Sequence, residues 1–249
     1  MCLIVVGWRV HADYPLVVAA NRDEFYARPT ADAAPWPDAP AVFGGLDLEA
    51  GGTWLGLRGD GRFAAVTNVR EPGMAMGARS RGTLTRDFLL GHDAAIDYAQ
   101  GLDGSLYSGF NLLLSDGDDL IYCSNRDGAP RRLAPGIYGL SNHRLDSPWP
   151  KLVTARQRFA AALPALPDES ALFALLADDA IVADDSLPQT GVPLEWERLL
   201  SAIFVKSENY GTRASTVAWQ GRDGTAYLHE QRFGPHGRAL QSSVISTAV

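Results

Sequence analysis

The sequence predicts an α+β fold in which two antiparallel sheets pack together and helical segments cover their outer faces. Three observations carry this. Short β-rich apolar runs punctuated by turn residues come first, helical spacing interrupts them, and further strands close the chain. No long linker or internal repeat divides the 249 residues, so residues 1–249 read as one domain. No alternating strand–helix–strand pattern or Gly-x-Gly-x-x-Gly run supports a dinucleotide-binding sheet.

The first element is a hairpin: Leu3-Ile4-Val5-Val6 and Leu16-Val17-Val18-Ala19-Ala20 flank a polar break at Arg9 to Pro15. Antiparallel pairing would bring Cys2 beside the cluster Asn21-Arg22-Asp23-Glu24 at the far end of the second run. Arg28 to Pro40, rich in Ala, Pro and Asp, reads as a surface loop. A turn and strand over Val42–Gly45 and Gly51–Leu57 follow, then a tight turn at Gly59-Asp60-Gly61 and a strand from Arg62 to Val69. The Gly51-Gly52-Thr53 stretch leading into Trp54 is either a backbone cradle for a ligand or a plain hairpin turn. The loop carrying Arg70, Arg79 and Arg81 is either an anion-binding loop or a solvated one.

Thr83–Gly91 and Asp93–Gln100 show helical spacing, and Phe110–Leu114 with Asp119–Cys123 form a second hairpin. Cys123, inside an apolar strand, reads as an inert core thiol. After a short strand at Ile137–His143, Pro148-Trp149-Pro150 opens a helix with Asp146 or Ser147 as cap. Its apolar face is expected to hold Leu152, Val153, Phe159, Ala160 and Leu163. Asp168–Asp178 is a further helix, Asp184–Pro193 a loop, and Ile203–Val205, Arg213–Trp219 and Thr225–Arg232 closing strands. Residues 235–249 are polar and expected to be loose.

Composition narrows the function classes. A formal net charge of -7 argues against a nucleic-acid binder. Two cysteines cannot make a disulfide framework and suit a reducing compartment. No apolar run approaches the roughly 20 residues of a membrane span, and the short apolar start lacks the basic flank of a secretory signal. The expectation is therefore cytoplasmic. The five histidines have no paired spacing, so neither a metal nor another cofactor is expected. A Ser-His-Asp triad lacks its Gly-x-Ser-x-Gly elbow.

Cys2 is the sharpest chemical feature. Removal of Met1 would leave it with a free α-amine, so that one residue carries nucleophile and base together. Arg22 would lower the thiol pKa, and Asp23 or Glu24 could hold the ammonium or the guanidinium. Asn68 or Asn142 could donate to a tetrahedral oxyanion. Because neighbours on a strand face opposite ways, the same-face pairs are Asn21 with Asp23, or Arg22 with Glu24.

Several stretches together resemble one family. They are Met1-Cys2, Ala19 to Tyr26 with Arg28-Pro29, Gly52-Thr53-Trp54-Leu55-Gly56, and Thr67-Asn68-Val69-Arg70. Gly109 to Leu113, Gly139-Leu140-Ser141-Asn142, Pro148 to Lys151, Ile203-Phe204-Val205 and Tyr210-Gly211-Thr212-Arg213 continue the series. On these residues the chain resembles the NRDE family, also called the transport-and-Golgi-organisation protein 2 family. The resemblance implies a four-layer αββα sandwich like that of the N-terminal-nucleophile hydrolases. It also implies a distant similarity to the bile salt hydrolase and penicillin V acylase group. By position, Cys2, Arg22, Asp23, Asn142 and Arg213 would then form the catalytic set, with Asn68 as an added polar candidate. Asn21, Glu24, Trp54 and Arg70 are the substrate-binding candidates. The arginine and aspartate are adjacent here, whereas that group spaces them apart.

Two functions follow as expectations. One is a cysteine amidohydrolase acting on a small-molecule amide. The other is a carrier using the same pocket for haem or an acyl-CoA, ligands the resemblance brings with it. The sequence leaves the oligomeric state open.

Overall fold

A computed structural model describes residues 2–247. The first sheet runs, in spatial order, β10 (Gly136–Leu140), β1 (Cys2–Trp8), β2 (Leu16–Phe25), β11 (Tyr210–Gln220), β12 (Ala226–Gly234) and β13 (Arg238–Ser246). The second runs in sequence order: β3 (Thr30–Trp36), β4 (Ala39–Asp47), β5 (Leu55–Arg58), β6 (Phe63–Asn68), β7 (Phe110–Ser115), β8 (Leu120–Ser124) and β9 (Arg131–Arg132). Every strand pair is antiparallel.

The layering follows from strand alternation. Even-numbered residues of β1 and β2, including Ile4, Val6 and Val18, meet Phe43, Leu57, Phe63 and Leu113 between the sheets. Odd-numbered residues, including Leu3, Val5 and Val17, face helices α3 (Pro150–Ala162) and α4 (Ser170–Leu176) through Leu152, Phe159, Leu172 and Leu176. On the other side, Ala64, Val66 and Leu112 pack under α1 (Gly82–Leu90) and α2 (Ala95–Gln100), against Leu84, Phe88, Leu89 and Ala95. Helices, sheet, sheet, helices: the expected αββα sandwich is present. No helix of the described residues is long and apolar enough to cross a membrane.

Several local expectations need correction. Residues 28–40 are not a loop but contribute the edge strand β3, where Pro35 is tolerated because an edge strand can spare a donor. Residues 238–246, expected to be loose, pair with β12 as β13; their exposed polar face hid the strand. Ile203–Val205 is irregular backbone rather than a strand, although its side chains are buried. Trp149, with no side-chain cap, precedes α3: the Asp146 carboxylate accepts instead from Gly139 N–H (2.7 Å), and Ser147 donates to the Arg144 carbonyl. Val153 and Ala160 point to solvent, while Ala155 and Ala162 take the buried places. A short helix, α5 (Leu194–Leu199), was not anticipated.

Gly52 has a packing role whichever reading of its glycine pair is taken. Its φ is +86°, and an added Cβ would fall against the carbonyl of Gly82 at the start of α1. The glycine therefore lets a turn and a helix terminus touch. Gly52→Ala combines left-handed backbone strain with a clash, and is expected to cost about 2–4 kcal/mol in urea unfolding.

Candidate active site

The hairpin delivers what its sequence promised: Cys2 stands directly opposite Arg22 in the β1–β2 register. Cys2 shares the inter-sheet face with the even-numbered residues, so Arg22 and Glu24 lie on its side of β2. Asn21 and Asp23 point to the helix side. A cleft of about 360 Å³ opens above them. Its lining includes Cys2, Arg22, Asp23, Glu24, Trp54 and Asn68, together with Arg28, Arg79 and Arg81.

Asp23 reaches the cleft although it faces away from Cys2, because both lie near their strands' ends. It is buried, and Thr212 Oγ1 donates to its carboxylate at 2.8 Å. A bulge in β11 makes Thr212 face Asp23 while Ala214 faces Arg22. Burial pushes the Asp23 carboxyl above its ordinary range, against the opposing pull of Lys151 and Arg70.

The Cys2 thiol departs from expectation. Burial pushes its pKa up, and Asp23 adds to the rise; Arg22 and the Asp23 backbone N–H pull the other way without prevailing. The neutral thiol is thus the resting form, and the thiolate requires a base.

Asn68 and Asn142 form one unit rather than two alternatives. Asn142 Nδ2 donates to Asn68 Oδ1 at 2.8 Å, leaving Asn68 at the cleft wall and Asn142 fully buried behind it. Next to them, Ser141 Oγ donates to the Cys2 carbonyl (3.1 Å) and Thr67 Oγ1 to the Ser141 carbonyl (2.6 Å). These bonds fasten the start of β1 to β6 of the opposite sheet.

Asn21, Arg70 and Arg213 fall outside the cleft lining. Asn21 is buried under α4, donating to the carbonyls of Leu176 (2.8 Å) and Ile203 (2.9 Å) and accepting from Ser215. Arg213 donates to the carbonyls of Phe25 and Arg28, clamping the turn that carries Arg28. Arg70 is buried against Glu197 (2.8 Å) and lies over the Trp149 ring, with its own N–H on the Asn142 carbonyl. Trp54 serves both the inter-sheet core and the cleft wall.

Lys151 is the residue that sequence reasoning passed over. It sits in the first turn of α3, buried, with Nζ donating to the Leu200 carbonyl (2.8 Å). Burial brings its pKa down to about 8 from 10.5, with Asp23 the main opposing charge. The one signal in the sequence was the Pro148–Lys151 stretch. Below about pH 8 the ammonium is charged in both folded and unfolded chains. Between about 8 and 10.5 the unfolded chain binds the extra proton, so this group makes stability rise with pH. Its contribution is full above 10.5 and lost as the pH falls through 8. Lys151→Met is expected to flatten that rise, read as the difference between the two proteins' stability–pH curves.

With this geometry in view, comparison with known proteins places the chain. The family model described as Transport and Golgi organisation 2 matches residues 1–235. The chain belongs to this family. Among Transport and Golgi organisation 2 relatives, the Bos taurus homolog is 40% identical over 240 residues, covering 88% of this chain and 86% of that protein. The Homo sapiens homolog is 37% identical, with coverage of 88% and 86%. The Drosophila melanogaster protein is 30% identical, covering 90% and 89%.

Two solved structures share the fold. An N-acylethanolamine-hydrolyzing acid amidase ortholog from Caenorhabditis elegans has a TM-score of 0.52 at 16% identity, covering 87% of this chain and 92% of that one. A mutant (C2A) conjugated bile acid hydrolase from Clostridium perfringens has a TM-score of 0.50 at 8% identity, covering 98% and 92%. This member of the Transport and Golgi organisation 2 family therefore has an N-terminal-nucleophile-hydrolase-like fold, with Cys2 and Arg22 at one end of its inter-sheet layer.

Proposed function

We propose that the chain is an N-terminal cysteine amidohydrolase cleaving a C–N amide bond of a small molecule. The observation that carries this is the convergence at one cleft of Cys2, Arg22, Asp23 and the Asn142-backed Asn68. Two hydrolases of the same fold, one titled an amidase and the other substituted at a second-position cysteine, support the reading.

Once Met1 is removed, the Cys2 amine accepts the thiol proton, which answers the need for a base set by the buried thiol. The thiolate sulfur bonds to the amide carbon and the carbonyl electrons move to oxygen. The Asn68 amide N–H, at the cleft wall, serves as donor to that oxyanion, and Asn142 fixes its orientation. The tetrahedral intermediate collapses by breaking the C–N bond, and the leaving amine takes the proton from the Cys2 ammonium. Water, deprotonated by the same amine, hydrolyses the thioester and restores the thiol. In this scheme Asp23 holds the ammonium, while Lys151, Arg70 and Arg213 position the residues in front of them. Arg22 faces the sulfur.

The test is a mass spectrum of the purified protein followed by assays on a panel of small amides. The expected results are loss of Met1 and turnover of at least one amide. Retained Met1 with no turnover overturns the proposal. Retention of haem or an acyl-CoA by both wild type and Cys2→Ala, without turnover, would identify a carrier instead.

A further inference from the structure

The cleft's four arginines are not equivalent. Arg28 is paired with Asp47 (2.8 Å) and Glu49 (3.1 Å), and Arg79 with Asp87 (3.4 Å). Among the described residues, Arg22 and Arg81 have no carboxylate within ion-pair distance. Of the two cleft acids nearest in sequence, Glu24 accepts from the Phe25 N–H through Oε1 (2.8 Å) and acts on Arg81 and Arg28 from beyond ion-pair distance, and Asp23 faces Thr212.

Both arginines flank the cysteine. Arg22 is its cross-strand partner, and Arg81, just ahead of α1, lines the same cleft as Cys2 and Glu24. The only hydrogen bond from the Arg81 guanidinium among the described residues is Nη1 to the Gly109 carbonyl (3.2 Å), which leaves most of its donor fork unused. Two guanidinium groups lining one cleft with Cys2 offer donors that suit the oxygens of a carboxylate or phosphate.

We propose that the cleft recognises its substrate through an anionic group, a carboxylate or a phosphate, held between Arg22 and Arg81 beside Cys2. The substrate class is then an anionic amide, with Trp54 and Val66 offering an apolar wall to the remainder. The substrate statement rests on the hydrolase reading above; the anion site does not.

The test therefore avoids turnover and uses two alkylating probes that differ in charge, iodoacetate and iodoacetamide. Cys2 labelling rates are read by peptide mass spectrometry, which separates Cys2 from Cys123. Both reagents attack the same thiolate, so their rate ratio cancels any change in thiol pKa. Relative to free cysteine, wild type is expected to favour iodoacetate by about tenfold, the equivalent of one charge-assisted hydrogen bond. Arg22→Gln and Arg81→Gln should each remove most of that preference.

In wild type, potassium phosphate or acetate should slow iodoacetate labelling beyond potassium chloride at equal ionic strength, and the stronger competitor names the anion. An iodoacetate preference no greater than that of free cysteine overturns the proposal. So does a preference unchanged in both variants, or no protection beyond chloride; this last arm needs no variant to fold. Failure of the hydrolase reading would appear separately, as retained Met1 and no amide turnover with the probe preference intact.

Discussion

Cys2→Ala is expected to lower amide turnover by at least about 10³-fold while leaving the fold in place, since a covalent mechanism has no route without its nucleophile. The substitution removes a single sulfur atom from a side chain that is 8% exposed at the edge of the inter-sheet layer. Its stability cost should not exceed about 1 kcal/mol, in the range of a small core truncation. Near-wild-type turnover by the variant, with an unchanged circular dichroism spectrum, would remove Cys2 from the chemistry. Cys2→Ser makes a sharper companion. A hydroxyl has a far higher pKa than a thiol, and burial already opposes ionisation at this position, so serine should rescue little.

Glu197→Ala is expected to give the largest loss of stability, about 3–5 kcal/mol, because it removes the carboxylate paired with a buried guanidinium. Both side chains of the Arg70–Glu197 pair are almost fully enclosed, at 4% and 6% exposure. Glu197 also accepts from the backbone N–H and the hydroxyl of Thr190 (2.7 and 2.6 Å), so one substitution undoes three bonds. For a chain of this length the melting temperature should drop by roughly 10 °C in calorimetry. A change within about 1 °C would mean that water already screens the pair. The effect should also reach the cleft: the Arg70 N–H bonds the Asn142 carbonyl, and Asn142 holds Asn68.

The hairpin at the start of the chain was legible because two short apolar runs flank a polar break with a proline, and pairing then dictates which polar residues meet. The layered architecture was legible for the same reason, helped by the family resemblance. What stayed hidden was polar or locally ambiguous. The edge strands β3 and β13 carry exposed residues that resemble loop composition, since an edge strand has one covered side at most. Arg81 was left between an anion-binding loop and a solvated one, and Lys151 drew notice only within the Pro148–Lys151 stretch, because nothing local announces that the first turn of a helix will be pressed into a charged cluster. Asn21 illustrates the reverse: its place in the Asn-Arg-Asp-Glu run made it a site candidate, yet alternation turns it under α4. Arg213 was selected by position, and the bulge in β11 then sent it to the β2–β3 turn.

The placement of β11 bears on how the cleft comes into being. Asp23 is housed only when Thr212 and Tyr210 arrive beside it, and those residues lie 189 and 187 positions further along the chain. The floor at Cys2 likewise waits for Ser141, 139 positions away. Closing such long loops is slow, and the local hairpins of the second sheet face no such delay. A chain still emerging from the ribosome can thus pair β1 with β2 and assemble much of β3 to β9 before the residues that enclose Asp23 and the Cys2 carbonyl have been made. On this ordering the reactive centre is among the last parts of the molecule to form, and any shortening that removes β11 should abolish it.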